Sequence, residues 1–218
     1  QAQSNDVRWL QERNVHIWDK WEINEDGDWI DENTGNVLKH FDPSFAHTIG
    51  TAYGYIVKKY DLMNKLLNSL KNDKEDRVIS LWQDSELDTA VLPSCVWSSE
   101  WDVTDGKLNI WVHQRSCDVP LGLPFNVTQY AVLLMMVAQV TGLKPGTIDW
   151  SIKDAHIYVN QIDGIKEQLN RYETKGSLPA PELWLNPDIT NFYDFDPTKD
   201  VKLNGYEHMG KISFPLAQ

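Results

Sequence analysis

The spacing of apolar residues predicts three main helices. Over residues 48–70 apolar side chains recur at steps of three and four, the period of one helix face. Over residues 127–140 the chain is apolar almost all round, and it stops at Gly142, a residue typical of helix C-termini. We therefore expect the second helix to be buried at the centre of the fold, and we predict a third over residues 162–172.

Short segments rich in β-branched and aromatic residues predict the strands of one sheet. Thr104, Asp105 and Gly106 separate two of them and indicate a hairpin. Two more short strands are expected after the proline-punctuated stretch LPAPELWLNPDITNFYDF. Helices and strands together predict an α/β (α+β) fold in a single domain over residues 1–218. The segments are VISLWQ, CVWSSEWDV, KLNIWVHQRS and HIYVN.

Residues 22–47 form an acidic, turn-rich stretch without a clear helical or strand period. This composition predicts a surface insertion. A calcium loop is the alternative, but the oxygen spacing of an EF-hand is not reproduced, so we favour a solvated loop. The acidic residues concerned are Asp26, Asp28, Asp31 and Glu32.

Composition narrows the possible functions. With 218 residues and 41% hydrophobic content the chain can enclose a core, and its net charge of −12 argues against a protein that coats nucleic acid. Two cysteines are too few for a disulfide framework, and we expect no membrane span, so a cytoplasmic location is predicted. The first residues lack an initiating Met and a helix cap, so we expect residues to be missing upstream. No metal-binding or phosphate-loop motif is found.

Four positions could carry chemistry on their own. Cys95 follows LPS at the start of a strand, where it is either a nucleophile or an inert buried thiol. Arg115 and Ser116 could bind one anion, or could end a strand in a salt bridge. Asn126 carries the donor and acceptor pair that matches a uracil edge, or it could cap a helix.

His156 and Tyr158 alternate along the predicted strand HIYVN, so both are expected on one face. There they could bond a sugar hydroxyl. The alternative is a core histidine whose hydrogen bonds are satisfied within the protein.

The segments LPSC, QRSCDVPLGLPFN, DAHIYVNQID and APELWLNP, in this order and spacing, resemble the signature segments of thymidylate synthases. HIWDKW and AYG extend the similarity over nearly the whole chain apart from the acidic stretch. The resemblance implies a large mixed β-sheet flanked by helices, with the sheet forming the interface of an obligate homodimer. It also implies a transferase of nucleotide biosynthesis, a methyltransferase of the cytoplasm.

The implied reaction is the reductive methylation of dUMP to dTMP. The co-substrate 5,10-methylenetetrahydrofolate would supply carbon and hydride and leave as dihydrofolate, with no metal and no nucleic acid needed. Cys95 would attack C6 of the uracil, and Arg115 would favour its thiolate. The catalytic residues implied are Cys95, Arg115, Asn126 and Tyr53, the last within the AYG segment.

The resemblance also assigns the binding residues. The last residues, 214–218, would fold over the ligands and exclude water. Those expected to bind dUMP are Arg115, Ser116, Asp118, Asn126, His156, Tyr158 and Arg77. Those expected to bind the folate are Ile17, Trp18, Asp118, Leu121, Gly122 and Phe125.

The chain departs from the family pattern before the VISLW strand. Many members have two adjacent arginines there for the partner's phosphate site, whereas this chain has Glu75, Asp76 and Arg77. Carboxylates beside a phosphate weaken its binding. Two alternatives therefore stay open: a deoxyuridylate hydroxymethyltransferase of phage type, in which water replaces hydride, and a catalytically inactive member that acts as a binding protein.

Overall fold

Helices and short strands alternate along the computed structural model, which describes residues 3–216. The chain divides into two compact units, residues 1–99 and residues 100–218. The prediction of one catalytic domain over 1–218 stays a prediction. Neither Cys95 nor Cys117 forms a disulfide within the described residues.

The acidic stretch of the first unit holds regular structure that the sequence pattern did not reveal. After a short helix α1 (Arg8–Gln11), strands β1 (Asp28–Ile30) and β2 (Val37–His40) pair in an antiparallel hairpin. Ile23 and Phe41 are buried against Val91 at its base. The prediction of a solvated loop did not include this hairpin, because the hairpin rests on backbone pairing while its short strands show little apolar alternation.

The helix predicted over residues 48–70 is in fact two helices. They are α2 (Gly54–Lys59) and α3 (Leu62–Lys71), and Asp61 between them has a left-handed φ of 51°. Asp tolerates this conformation better than most residues, so the chain can turn there without glycine. The apolar face of α3 is buried as its period predicts, through Met63, Leu66, Leu67 and Leu70.

Strand β3 (Val78–Ser80) lies next to the beginning of β4 (Val96–Thr104) in the first unit. The N–H of Leu81 donates a 2.7 Å hydrogen bond to the carbonyl of Trp97. Strand β3 ends at Ser80, earlier than the predicted VISLWQ strand, and β4 begins directly after Cys95.

In the second unit β4 leads into β5 (Lys107–Asp118) through the predicted hairpin. Asp105 and Gly106 both have positive φ, 50° and 72°, which is the requirement of a type I′ turn. Strand β5 then pairs in parallel with β6 (Lys144–His156), which makes a mixed sheet. The strand over residues 144–155 was missed, although the alternation of Ile148, Trp150 and Ile152 could have indicated it.

Helix α4 (Gly122–Thr141) connects the parallel strands β5 and β6. It begins before the predicted residue 127 because Pro124 is tolerated in a first helical turn, and it ends at Gly142, whose φ is 73°. The helix is buried along one side, which contains Tyr130, Leu134 and Val137. The expectation of a fully buried helix was therefore too strong.

Within residues 3–216, α4 is the one helix long and apolar enough to cross a membrane by length and composition. The expectation of no membrane span assumed that no apolar run reaches the roughly 20 residues a span needs, and α4 has 20 residues. This is weak evidence for a span, because core helices of soluble proteins pass the same test. Here α4 packs against β5 and β6.

The rest of the second unit follows β6. Strand β6 ends at His156, so Tyr158 lies beyond it and not within a strand HIYVN. A short 3-10 turn then leads into α5 (Ile162–Lys175), which confirms the third predicted helix. Two short strands, β7 (Glu182–Leu185) and β8 (Val201–Asn204), pair antiparallel, and β7 lies inside the proline-punctuated stretch.

Candidate active site

The predicted site residues fall in both units. In the first unit Cys95 lies immediately before β4 and is half-buried. Its backbone N–H donates a 2.9 Å hydrogen bond to the phenol oxygen of Tyr53. A tyrosine from the start of α2 therefore fixes the backbone that carries the thiol.

Tyr53 itself has an unusual backbone conformation, with φ 46° and ψ −104°. Conformations of this kind cost about 1–3 kcal/mol for a residue with a side chain, and they occur at functional sites where packing enforces them. The packing here is a buried apolar cluster against which Tyr53 lies, formed by Val7, Ile49, Ala52 and Ala90.

Tyr53 belongs to a row of aromatic side chains in the first unit. The ring of Trp18 lies 5.5 Å from that of Tyr53 and 5.4 Å from that of Trp21. Ile17, next to Trp18, is 46% exposed. Trp18 and Tyr53, two residues predicted for different roles, are thus in contact, and the exposed Ile17 leaves an apolar surface beside them.

A buried polar network supports the loop before Cys95, and sequence reasoning missed it. The hydroxyl of Thr51 donates to the carbonyl of Glu86 at 2.6 Å, and the Thr51 N–H donates to the carbonyl of Thr89 at 3.0 Å. The Glu86 carboxylate accepts from Lys59 at 2.5 Å and from Tyr60 at 3.0 Å. The Lys59 ammonium is the main cause that lowers the pKa of Glu86.

The residues before β3, where the chain differs from the family pattern, have a clear local structure. Asp76 accepts a 2.6 Å hydrogen bond from Ser69, and this bond lowers its pKa. Arg77 is held by Asp73 at 2.7 Å, while its Nε is buried with no hydrogen-bond partner in the described part of the chain. Asp76 is therefore turned to the end of α3, and Arg77 keeps an unused donor. Glu75 is exposed.

In the second unit the predicted folate residues meet at the start of α4. The Oδ1 of Asp118 accepts from the N–H of Leu121 at 3.3 Å, and its Oδ2 accepts from the side chain of Gln161 at 2.9 Å. Phe125 is 59% exposed on the first turns of the helix. Gln161 was not predicted as a site residue, although it lies within the quoted segment DAHIYVNQID.

Asn126 lies on α4 one turn after Gly122, where the absence of a side chain leaves space. A Cβ at Gly122 would lie 3.7 Å from Nδ2 of Asn126 and 4.0 Å from the sulfur of Cys117. Since Leu121 occupies the N-cap, the alternative interpretation of Asn126 as a helix cap is wrong. Asn126 is half-buried inside the helix.

The remaining predicted residues lie at the ends of β5 and β6. Arg115 and Ser116 are half-buried near the end of β5. His156 ends β6, and its ring lies 5.0 Å from that of Tyr158 in an edge-on arrangement, although Tyr158 is outside the strand. The Nδ1 of His156 is buried and makes no hydrogen bond within residues 3–216, with an oxygen of Asp154 at 3.4 Å. A core histidine with satisfied hydrogen bonds is therefore not what the structure shows.

Comparison with known proteins gives the family. A family model described as thymidylate synthase matches residues 1–218. The chain belongs to the thymidylate synthase family. A thymidylate synthase of Clostridium beijerinckii is 49% identical over 217 residues, which cover 99% of this chain and 73% of that protein. Thymidylate synthase 1 of Bacillus subtilis strain 168 is 40% identical over 228 residues, which cover 100% of this chain and 72% of that protein.

A solved structure agrees with these relatives. The thermostable thymidylate synthase A from Bacillus subtilis matches with a TM-score of 0.81 and 37% identity, over 99% of this chain and 73% of that one. The predicted family, the mixed α/β fold with a sheet flanked by helices, and thymidylate synthase activity as a methyltransferase are confirmed. These relatives support that activity and not hydroxymethyl transfer. In the described residues no group of three or more His, Cys, Asp or Glu is placed to hold a metal ion.

Proposed function

We propose that the chain converts dUMP to dTMP with Cys95 as the nucleophile. The thiolate adds to C6 of the uracil, and C5 then attacks the methylene carbon of 5,10-methylenetetrahydrofolate. The C5 proton is then removed and the bond between the methylene carbon and the folate breaks, which leaves an exocyclic methylene on the uracil. Hydride from the tetrahydrofolate completes the methyl group while the C6–sulfur bond breaks and returns the Cys95 thiolate, and dTMP and dihydrofolate leave. The thiolate is the required form of Cys95, because a thiol is a poor nucleophile.

The observation that carries this proposal is the 2.9 Å hydrogen bond between Cys95 and Tyr53. A nucleophile must be held within a small distance of its attack geometry, since a misplacement of about 1 Å can cost about a hundredfold in rate. Tyr53 fixes the backbone of Cys95 and is itself fixed by the buried cluster around Val7 and Ile49. Strained backbone conformations such as that of Tyr53 cluster at functional sites, which supports a functional role for the cysteine it holds.

Each dUMP-binding role is supported by a local feature. Arg115 and Ser116 present a guanidinium and a hydroxyl at one strand end, which suits the 5′ phosphate. Asn126, half-buried in α4, offers a carboxamide to the uracil edge. His156 has a buried Nδ1 that needs a hydrogen-bond partner, and with Tyr158 in ring contact it suits the deoxyribose 3′ hydroxyl.

The folate fits the donor and acceptor chemistry of the residues assigned to it. The Asp118 carboxylate, fixed through one bond on each oxygen, keeps lone pairs free to accept from the N–H groups of a pterin ring. In the first unit Trp18 and Ile17 offer an aromatic and an exposed apolar surface. Leu121, Gly122 and Phe125 offer the same kind of surface at the start of α4.

A homodimer is part of the proposal, as is a location in the cytoplasm. On β5, buried residues such as Leu108, Ile110 and Val112 alternate with Trp111, which is 49% exposed. A tryptophan on an open sheet face is the kind of residue that an interface covers. Arg77, with its unused Nε, would reach the phosphate of the partner's site.

The test uses 5-fluoro-dUMP together with methylenetetrahydrofolate. Fluorine replaces the C5 hydrogen that dUMP loses as a proton, and a base cannot remove it, so the reaction stops at the covalent complex. Intact mass spectrometry of the full-length protein is expected to show one covalent complex of protein, nucleotide and folate. Cys95→Ala removes the nucleophile and is the control, with circular dichroism to show that it folds. Absence of the adduct in the wild type would support the inactive binding protein. Formation of hydroxymethyl-dUMP and tetrahydrofolate from dUMP would support the hydroxymethyltransferase.

A further inference from the structure

Gln161 connects three parts of the second unit, and none of the roles above uses it. Its side chain is 0% exposed. The Oε1 accepts a 3.0 Å hydrogen bond from the N–H of Tyr158. The Nε2 donates to Asp118 at 2.9 Å and to the carbonyl of Pro215 at 3.1 Å. One acceptor and two donors are needed at this position, and a carboxamide supplies both.

The C-terminal segment that contains Pro215 runs along α5 in the direction opposite to the helix. Near the end of α5, Arg171 donates to the carbonyls of Met209 and Gly210 at 3.1 and 2.9 Å. Nearer its start, the ring of Phe214 lies so close to Gly164 that a Cβ there would stand 2.5 Å from it. Gln161 then makes the last of these contacts, and residues 217–218 lie outside the described residues.

We propose that Gln161 is a positioning residue that holds the Asp118 carboxylate for the folate and fastens it to the C-terminal segment. The inference rests on the proposed folate role of Asp118. Without Gln161 the carboxylate keeps only the longer bond of 3.3 Å from Leu121 and can rotate away from its orientation. The Pro215 carbonyl loses its donor at the same time, so the two groups are expected to lose their order together.

Gln161→Glu is the first test variant, because it keeps the size of the side chain but replaces the two donors by a carboxylate beside Asp118. The KM for methylenetetrahydrofolate is expected to rise about tenfold or more, the size of effect that follows loss of a hydrogen bond to a charged group. The affinity for dUMP alone, measured by equilibrium dialysis, is expected to change less than the folate KM. Asp118 and Tyr158 are the assigned dUMP residues that Gln161 contacts, and the glutamate still offers an acceptor to the N–H of Tyr158.

Gln139→Glu is the matched control. The Gln139 carboxamide also donates two hydrogen bonds to carbonyls, those of Asn186 and Ile189 at 2.9 and 2.8 Å. It touches neither Asp118 nor Pro215. An equal rise of the folate KM in both variants would mean a general loss of stability and would overturn the inference.

Two further variants keep the test decisive. Gln161→Met replaces the carboxamide by an apolar side chain of similar length and is used if the glutamate variant fails to fold. It is expected to raise the folate KM in the same way. Gly164→Ala displaces Phe214 while leaving the Gln161–Asp118 bond intact. Carboxypeptidase is expected to release the C-terminal residues faster from Gln161→Glu, Gln161→Met and Gly164→Ala than from the wild type or Gln139→Glu.

The carboxypeptidase comparison needs no turnover. It therefore tests the anchoring of the segment even if the wild type forms no covalent complex, an outcome that would refute the proposed function instead. Equal release rates from Gln161→Met and the wild type would overturn the anchoring. An active wild type with an unchanged folate KM in Gln161→Met would overturn the positioning of Asp118.

Discussion

The phenol oxygen of Tyr53 and the backbone N–H of Cys95 are joined by a hydrogen bond of 2.9 Å. The tyrosine at the beginning of α2 thereby holds the residue before β4, across 42 positions of the chain. Its positive φ of 46° aims the side chain in a direction that a relaxed backbone would not give. The loop of Tyr53 and the loop of Cys95 are therefore expected to act as one structural unit.

Tyr53→Phe is expected to lower kcat about tenfold or more while leaving the fold intact. The change removes one acceptor from a backbone N–H, which costs about 0.5–1.5 kcal/mol of stability and leaves Cys95 less well held. Tyr55→Phe is the control, since no hydrogen bond is assigned to its hydroxyl among the described residues. Equal kcat values for both variants and the wild type would show that the contact has no part in catalysis.

The packing of Gly50 against Thr89 and Ala90 can be tested through the free energy of unfolding. Its φ is 71°, and an added Cβ would collide with the carbonyl of Thr89 and lie 3.1 Å from the Cα of Ala90. Gly50→Ala is expected to lower the free energy of unfolding by roughly 2–5 kcal/mol, from the left-handed conformation and the collision together. Urea denaturation measures this change.

Gly35 provides the matched comparison for that prediction. It has a similar φ of 73°, but no atom lies within 4 Å of an added Cβ. Gly35→Ala is expected to cost only the conformational part, about 1–2 kcal/mol. If Gly35→Ala proves as destabilising as Gly50→Ala, the close approach of the Thr89 loop is not what matters.

Local signals account for the parts of the fold that the sequence predicts well. The turn at Asp105 and Gly106 and the helix end at Gly142 depend on positive φ values that few residue types adopt. The buried face of α3 follows from its apolar period. In each case the deciding residues are neighbours along the chain, so a pattern in the sequence is sufficient.

The parts that escaped prediction depend on contacts distant in sequence. Two of the three hydrogen-bond partners described for Gln161, Asp118 and Pro215, lie 43 and 54 residues away, and nothing in its own neighbourhood indicates them. The break at Asp61 divides one continuous apolar period into two helices. The roles of Cys95, Arg115 and Asn126 came from the family resemblance, since each residue alone allowed an ordinary structural interpretation.

The Lys59–Glu86 pair predicts a dependence of stability on acid. In the folded protein the Lys59 ammonium holds the pKa of Glu86 below the ordinary value of 4.5, and the hydroxyl of Tyr60 has a smaller effect in the same direction. The unfolded chain therefore binds a proton at higher pH than the folded one, so stability rises with pH in this window. The contribution of Glu86 is fully present above the unfolded pKa and is lost as pH falls through the folded pKa.

Glu86→Gln isolates this contribution. The difference in free energy of unfolding between wild type and variant is expected to be largest at neutral pH and to shrink as pH falls below 4.5. Urea denaturation at a series of pH values measures it, with exposed Glu182→Gln as a control that changes stability little at any pH. A difference that stays constant from neutral pH to pH 3 would contradict the assignment.

Trp111 predicts the oligomeric state of the protein. Its indole donates a 2.8 Å hydrogen bond to the hydroxyl of Ser151 and lies 4.9 Å from the ring of His113, so the side chain is held in place although it is 49% exposed. Such a fixed, half-exposed aromatic surface suits a self-complementary interface between two copies. Trp111→Glu would bring a charge into that interface and is expected to shift the protein from dimer to monomer at micromolar concentration.

Sedimentation equilibrium measures the shift, and circular dichroism shows whether the variant keeps its fold. Tyr172→Glu is the matched control, because this tyrosine is 60% exposed on α5 and not on the sheet. The wild type and Tyr172→Glu are expected to sediment as dimers and Trp111→Glu as a folded monomer. A monomeric wild type, or a Trp111→Glu variant that remains a dimer, would mean that this face of β5 is not the interface.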